Sequence, residues 1–202
     1  MGIQIVSTSL CENIDGLYYL KDTNGDYSYL ISADTSITSY TVHDECKIIA
    51  GQVFYKRTSI SSISIPEGII CIGEKAFKEC SGLTGNFDLS NCISIGSYAF
   101  QDCSGLTGSL ELSSVTSIGG YAFEGCIDLT SVTIGSGVSS IGTSAFYNCT
   151  NLTSITIKAT TPPTLGTSAI PTTATIYVPS GCISAYATAW GLAESRFAEI
   201  SA

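Results

Sequence analysis

The amino-acid sequence predicts a right-handed solenoid of 23-residue repeats, with a parallel β-sheet on one face and short helical or 3₁₀ turns on the other. Three observations predict it. The pattern Ile-Gly-x-x-Ala-Phe-x-x-Cys-x-x-Leu begins at Ile72, Ile95, Ile118 and Ile141, a period of 23 residues without drift. Each copy supplies the same apolar trio: Phe77, Phe100, Phe123 and Phe146; Cys80, Cys103, Cys126 and Cys149; Leu83, Leu106, Leu129 and Leu152. The composition is 44% hydrophobic but only 12% charged, which is not that of a disordered chain. It suits stacked β structure whose exposed positions are mostly hydroxyls. Each repeat is then one turn of a coil, hiding its apolar face by stacking on its neighbours.

Residues 1–36 do not carry the repeat and read as a capping hairpin. Gly16-Leu17-Tyr18-Tyr19-Leu20 and Tyr27-Ser28-Tyr29-Leu30-Ile31 flank Asp22-Thr23-Asn24-Gly25-Asp26, and Asn-Gly between such runs signals a hairpin. Asp22, Asn24 and Asp26 look like the start of a calcium loop, but the distal Glu is missing, so turn chemistry is the better reading. Worn copies of the repeat precede the clean ones. Ile49, Val53 and Phe54 match Ile72, Ala76 and Phe77, with Arg57 in place of the ladder cysteine. Ile37-x-x-Tyr40-x-Val42 and Ile60-x-x-Ile63-x-Ile65 match Leu129-x-x-Val132-x-Ile134, so the solenoid spans residues 37–178 in about seven rungs.

Within each repeat, Leu-x-x-Ile-x-Ile alternates as a half-buried strand does. Ile63 and Ile65, Phe87 and Leu89, Leu110 and Leu112, Val132 and Ile134, and Ile155 and Ile157 point inwards. Ala-Phe-x-x-Cys is too short for a long helix and reads as one helical or 3₁₀ turn. The glycines at 73, 96, 119 and 142 are expected to let the backbone turn tightly there. After Ile157 the pattern decays through Thr161-Pro162-Pro163 to a last strand, Thr175-Ile176-Tyr177-Val178. Ile183, Tyr186, Ala187 and Trp190 follow helical spacing, so residues 179–202 read as a helical cap anchored by Trp190, the whole chain forming one structural domain.

The net charge of −9 with only eight Lys and Arg disfavours nucleic acid and anionic lipid surfaces as partners. No apolar run is long enough to insert into a membrane, and Met1 to Cys11 show no signal peptide. The nine cysteines are an odd number without a C-x-x-C, so neither zinc nor redox chemistry is indicated. Neighbouring rungs project their cysteines alongside one another rather than towards one another. Free thiols acting as small buried hydrophobes are expected.

The motif Ile-Gly-x-x-Ala-Phe-x-x-Cys-x-x-Leu-x-x-Ile-x-Ile, over Ile37 to Val178, resembles the BspA-like leucine-rich repeat family. The Tyr-Val-Pro followed by a Tyr/Trp-bearing helix resembles that family's C-terminal ends. The resemblance implies a secreted or cell-surface bacterial protein, with adhesion to host matrix proteins or cells among the activities of its relatives.

Candidate site residues lie on the outward positions of the strands, where hydroxyls dominate. Asp88 and Glu111 interrupt them on adjacent rungs, accompanied by Asn86, Ser109 and Thr133. Two carboxylates one rung apart have the spacing of a retaining glycosidase, but that chemistry also needs a pocket, a raised pKa and sugar-stacking aromatics, and the strip offers no aromatic; a weak cation site or a polar binding patch fits the pair better. His43, the single histidine, leaves a Ser-His-Asp triad or histidine metal cluster little to work with. Tyr98 and Tyr121 hold equivalent places on the turn face, where shielding the repeat edge is the first expectation and a second candidate surface for protein recognition the other. The expectation is a monomeric, non-enzymatic module without metal or cofactor, presenting a polar, mildly acidic sheet face to a protein or glycan ligand. The alternative is a purely structural spacer within a larger surface assembly.

Overall fold

The computed structural model describes residues 11–84 and 87–201. In chain order the first strands are β1 (Cys11–Ile14), β2 (Leu17–Leu20), β3 (Tyr29–Ala33), β4 (Ser39–Thr41), β5 (Ile48–Ile49), β6 (Ser62–Ser64), β7 (Cys71–Ile72) and β8 (Ser94–Ile95). They continue as β9 (Gly108–Leu112), β10 (Ser117–Ile118), β11 (Leu129–Ile134), β12 (Ser140–Ile141), β13 (Ser154–Ile157), β14 (Thr164–Leu165) and β15 (Thr175–Val178). Helix α1 (Ile183–Trp190), a 3₁₀ turn (Glu194–Arg196) and β16 (Phe197–Glu199) complete the chain. Each 23-residue turn contributes to two sheets, not one. The Leu-x-x-Ile-x-Ile segments build a five-stranded parallel sheet, ordered β16-β15-β13-β11-β9, and a separate pair, β4-β6. The six two-residue strands β5, β7, β8, β10, β12 and β14 continue β1, β2 and β3 into a nine-stranded sheet that, among the described residues, is antiparallel only among β1, β2 and β3. Its register is the repeat itself: Ile49, Ile72, Ile95, Ile118, Ile141 and Leu165 pair in sequence.

Between the sheets the phenylalanines form one continuous stack. Phe54, Phe77, Phe100, Phe123 and Phe146 are fully buried, with successive centroids 5.0, 5.0, 5.3 and 5.3 Å apart and rings within 11° of parallel. Phe87 inserts edge-on between Phe77 and Phe100, at 6.0 and 5.8 Å. Tyr40 meets Phe54 edge-on at the N-terminal end of the stack. Tyr186, Trp190 and Phe197 cluster at the C-terminal end, where Tyr186 Oη donates to the Ala159 carbonyl and Trp190 Nε1 to that of Pro163.

Three sequence expectations are corrected. The Ala-Phe-x-x-Cys segments are not helical or 3₁₀; they are tandem β-turns. Ala76, Lys78 and Cys80 each donate N–H to the carbonyl three residues back, while Lys75, Phe77 and Glu79 donate to the next rung. The third residue of the first turn takes positive φ in rung after rung (Lys75 57°, Tyr98 59°, Tyr121 59°, Ser144 53°), as a type II turn requires and a helix forbids. The glycines at 73, 96, 119 and 142 are needed for close approach rather than for bending. None of them has positive φ, and a Cβ at Gly119 would collide with the backbone of Gly96 and Ser97 in the preceding rung. Finally, the C-terminal segment is helical only over α1. Gly191 ends the helix in the left-handed region (φ 65°), and Phe197–Glu199 returns as a strand parallel to β15, completing the sheet edge.

The strand sheet is interrupted at the third rung, and the spacing explains it. Leu83 to Phe87 and Leu106 to Leu110 are four residues apart, where Leu129 to Val132 and Leu152 to Ile155 are three apart. In the next rung Gly108 takes positive φ (79°), and the pairing with β11 shifts register between Leu129 and Ser131. At residues 87–89, the one strand-type link among the described residues is a parallel bridge from Asp88 to Glu111. Two sheets therefore stand where a continuous one was expected, with Asp88 at the break.

Candidate functional site

The repeat sends alternate strand residues outwards, and parallel in-register pairing arranges them in rows. One row is Ser109, Ser131, Ser154 and Thr175; the next is Glu111, Thr133, Thr156, Tyr177 and Ala198. The Asp88 bridge extends this second row by one rung. The structure thus brings Asp88, Glu111, Ser109 and Thr133 onto one face, as the sequence predicts. Asn86 lies outside the described residues.

Hydroxyls on this protein fall into two kinds. At the corners of the coil, and at Thr130 in the register shift of β11, they donate to a carbonyl of the preceding rung: Thr84 to Ser61, Thr116 to Ile93, Thr130 to Gly108, Ser139 to Thr116 and Thr153 to Thr130. On the strand face, Ser39 and Ser62 bond each other at 2.8 Å. Among the described residues, the side-chain hydroxyls of Ser131, Thr133, Ser154, Thr156, Thr175 and Tyr177 have no hydrogen-bond partner. The corner hydroxyls hold the coil together, whereas those of the face remain available to a ligand or to water. An exposed hydroxyl is solvated at no cost, so the face is stable while open.

Asp88 is exposed, and its Oδ1 accepts the Ser90 N–H at 2.9 Å. The Ser90 hydroxyl and backbone N–H hold its carboxyl below the usual range, so it stays ionised through neutral pH. Two shallow hollows meet at Phe87 and Asp88. One, of about 460 Å³, runs over Ser39, Thr41, Ser62 and Ser64; the other, of about 320 Å³, over Ser90, Glu111 and Ser113. Two further hollows, about 690 Å³ beside Tyr29, Ile31 and Ile48 and about 370 Å³ between Tyr147 and Pro171, are lined chiefly by apolar groups and hold none of the sequence-predicted site residues.

Tyr98 and Tyr121 stand apart from this face, on the turns. Their rings stack parallel at 4.9 Å, both half-buried, with Lys75 Nζ and Lys78 Nζ 5.5 and 5.3 Å from the Tyr98 centroid. Both take positive φ, but so do Lys75 and Ser144 at the equivalent positions. The backbone conformation therefore belongs to the turn and marks no special site.

His43 packs against Tyr27 (4.7 Å) and accepts the Glu45 N–H on Nδ1, within the N-terminal aromatic group. Asp22 organises its loop, accepting from Asn24 N, Asp26 N and Ser28 Oγ. Among the described residues, no group of three or more His, Cys, Asp and Glu is placed to hold a metal ion. No helix among them is long and apolar enough to cross a membrane.

The residue that sequence reasoning missed is Tyr177. The strip was expected to hold no aromatic, yet Tyr177 pairs with Thr156 and projects from the same face. The signal was present: Thr175-x-Tyr177 continues the Ser131-x-Thr133 and Ser154-x-Thr156 pairs, but after a shortened repeat that breaks the 23-residue count.

Stacked turns with Phe and Cys ladders behind an open polar strand face define a repeat protein of the leucine-rich type. The chain belongs to the BspA type leucine rich repeat family, whose model matches residues 25–152 and 108–171 in 6 copies. No curated protein matches it. Among solved structures it is similar to the pneumococcal vaccine antigen PcpA, with 23% identity, a TM-score of 0.70, and 94% of this chain and 46% of that one covered. A leucine rich cell surface protein from Faecalibacterium prausnitzii gives 22% identity and a TM-score of 0.64, over 93% of this chain and 54% of that one. The leucine-rich repeat protein of Treponema pallidum gives 19% and 0.53, over 84% and 92%. At these identities the likeness is one of fold. The chain spans about half the length of the first two structures.

Proposed function

We propose that this chain is a non-enzymatic binding module, working at a bacterial cell surface, that presents the strand face around Asp88 and Glu111 to a macromolecular partner. The family's general use in protein interaction and the surface location stated for the F. prausnitzii protein support the class and the place. The observation that carries the site is the set of face hydroxyls without partners, in register with two carboxylates, while the corner hydroxyls are bonded to the coil. A spacer needs the hydroxyls for solvation, but it has no use for two carboxylates set side by side among them. Protein and glycan ligands both fit this reading, host matrix proteins among them. The module acts as a monomer.

Immobilised protein screened against matrix proteins and glycans tests it, using Asp88→Asn with Glu111→Gln as the control. Both substitutions keep side-chain size and remove charge. A partner of this face should bind the double variant less tightly, and added salt should weaken the parent's binding more than the variant's. Equal binding by both proteins would remove Asp88 and Glu111 from the site and make Tyr98 and Tyr121 the surface to test.

A further inference from the structure

We infer that the ligand of the strand face is an unbranched glycan carrying amino sugars, lying across the strands from Asp88 to Tyr177. The inference rests on the strand-face reading above and names its ligand class. Asp88, Glu111, Thr133, Thr156 and Tyr177 occupy successive rungs of one row. At ~4.8 Å per rung the row is about 19 Å long. That step is close to the repeat of an extended pyranose chain, so consecutive sugars meet consecutive rungs.

Each part of the row has a use for such a ligand. Tyr177 is half-buried and makes no aromatic contact or side-chain hydrogen bond among the described residues. Its row neighbours are the small residues Thr156 and Ala198, and its half-buried ring is the group assigned to the flat face of a sugar. Thr133 and Thr156, with Ser131 and Ser154 in the adjoining row, offer hydroxyls that both donate and accept, as sugar hydroxyls do. Asp88 and Glu111 accept only, and at their end of the row their charge favours an ammonium group over a sulfate or carboxylate.

A protein ligand fits less well. Protein interfaces draw their affinity from clustered aromatic and arginine anchors in desolvated pockets. This row holds one aromatic, and its apolar strand residues (Leu110, Val132, Ile155 and Ile176) all point into the core.

Titration calorimetry on the full chain tests the inference at mildly acidic pH, where the amines are charged and Asp88 remains ionised. The probes are a glucosamine hexamer, its N-acetylated counterpart and a heparin oligosaccharide of equal length. The glucosamine hexamer should bind saturably, the acetylated one more weakly and heparin not at all. Tyr177→Ala should weaken glucosamine-hexamer binding roughly tenfold, the effect of losing one good contact, while Tyr177→Phe keeps the ring and stays near the parent. Glu111→Gln should reduce the preference for the deacetylated probe.

Absence of glucosamine-hexamer binding, equal binding by Tyr177→Ala, or preference for heparin would each overturn the inference. A protein partner that depends on Asp88 and Glu111 and ignores Tyr177 would overturn the glycan while leaving the binding face in place. A face that binds neither would remove both.

Discussion

At the scale of single residues, the cysteine ladder shows how one side chain serves two needs. Each thiol fills core space and donates to the Phe carbonyl of the preceding rung: Cys80 to Phe54 and Cys103 to Phe77 at 2.9 Å, Cys126 to Phe100 at 3.1 Å and Cys149 to Phe123 at 3.0 Å. Burial was legible in the sequence because a fixed period with apolar neighbours places the cysteines inside. Their role as donors was not, since it depends on which carbonyl the turn leaves facing the core. All four are free and buried, so a thiol reagent should label them only after denaturation; rapid labelling of the native protein would put them outside the core. Burial pushes the Cys80 and Cys149 thiols from the ordinary 9.0 up to about 12, and those of Cys103 and Cys126 well above it. The native state therefore keeps protons that the unfolded chain releases. This contribution to stability is complete below pH 9.0 and is lost as pH rises through the native values. Denaturant melts across that window should show falling stability, with a shallower fall in Cys126→Ala even though that variant is weaker at neutral pH.

At the scale of the element, one rung, the turn face is set by two sterically opposed residues. Phenylalanine fills the space between the sheets, and glycine lets adjacent backbones meet. Phe123→Ala removes a ring stacked on both Phe100 and Phe146, and should cost about 3–5 kcal/mol in chemical denaturation. A parent-like melt would mean the stack contributes little. Gly119→Ala adds only a methyl group, yet the obstacle is the backbone of Gly96 and Ser97, which cannot rotate away. It should destabilise by more than the ~1 kcal/mol scale of an ordinary glycine substitution, and Gly137→Ala, with open space around its Cβ, serves as the benign comparison. The ladders and the strand register were readable because both follow from the 23-residue period. The second sheet and the tandem turns were not, because Ala-Phe-x-x-Cys specifies burial without specifying the sign of φ at the residues between. The break at Asp88 was encoded in the four-residue step from Leu83 to Phe87, a one-residue change easily passed over inside a strong repeat.

At the scale of the whole molecule, a solenoid is nearly one-dimensional, so its stability depends on what closes its ends. Two arginines hold equivalent posts there. Arg57, in the position of a ladder cysteine, reaches back to the carbonyls of Asp34 and Ile37 and to Tyr40 Oη. Arg196, near the other end, donates to the carbonyls of Pro171 and Ala174. Arg57 was visible in the sequence as a departure from the cysteine column, but Arg196 lies beyond the repeat and gave no signal. Arg196→Ala leaves two half-buried carbonyls without their charged donor, a loss of about 1.5–3 kcal/mol. Because coupling runs only between neighbouring rungs, the loss should be local. Hydrogen exchange should speed up in β15, β16 and α1 while the amides of β11 remain as protected as in the parent, whereas Phe123→Ala, in mid-stack, should raise exchange across the central rungs. If Arg196→Ala instead loosens β9 and β11 to the same degree as β15, the coil unfolds as one cooperative block and its ends have no separate stability.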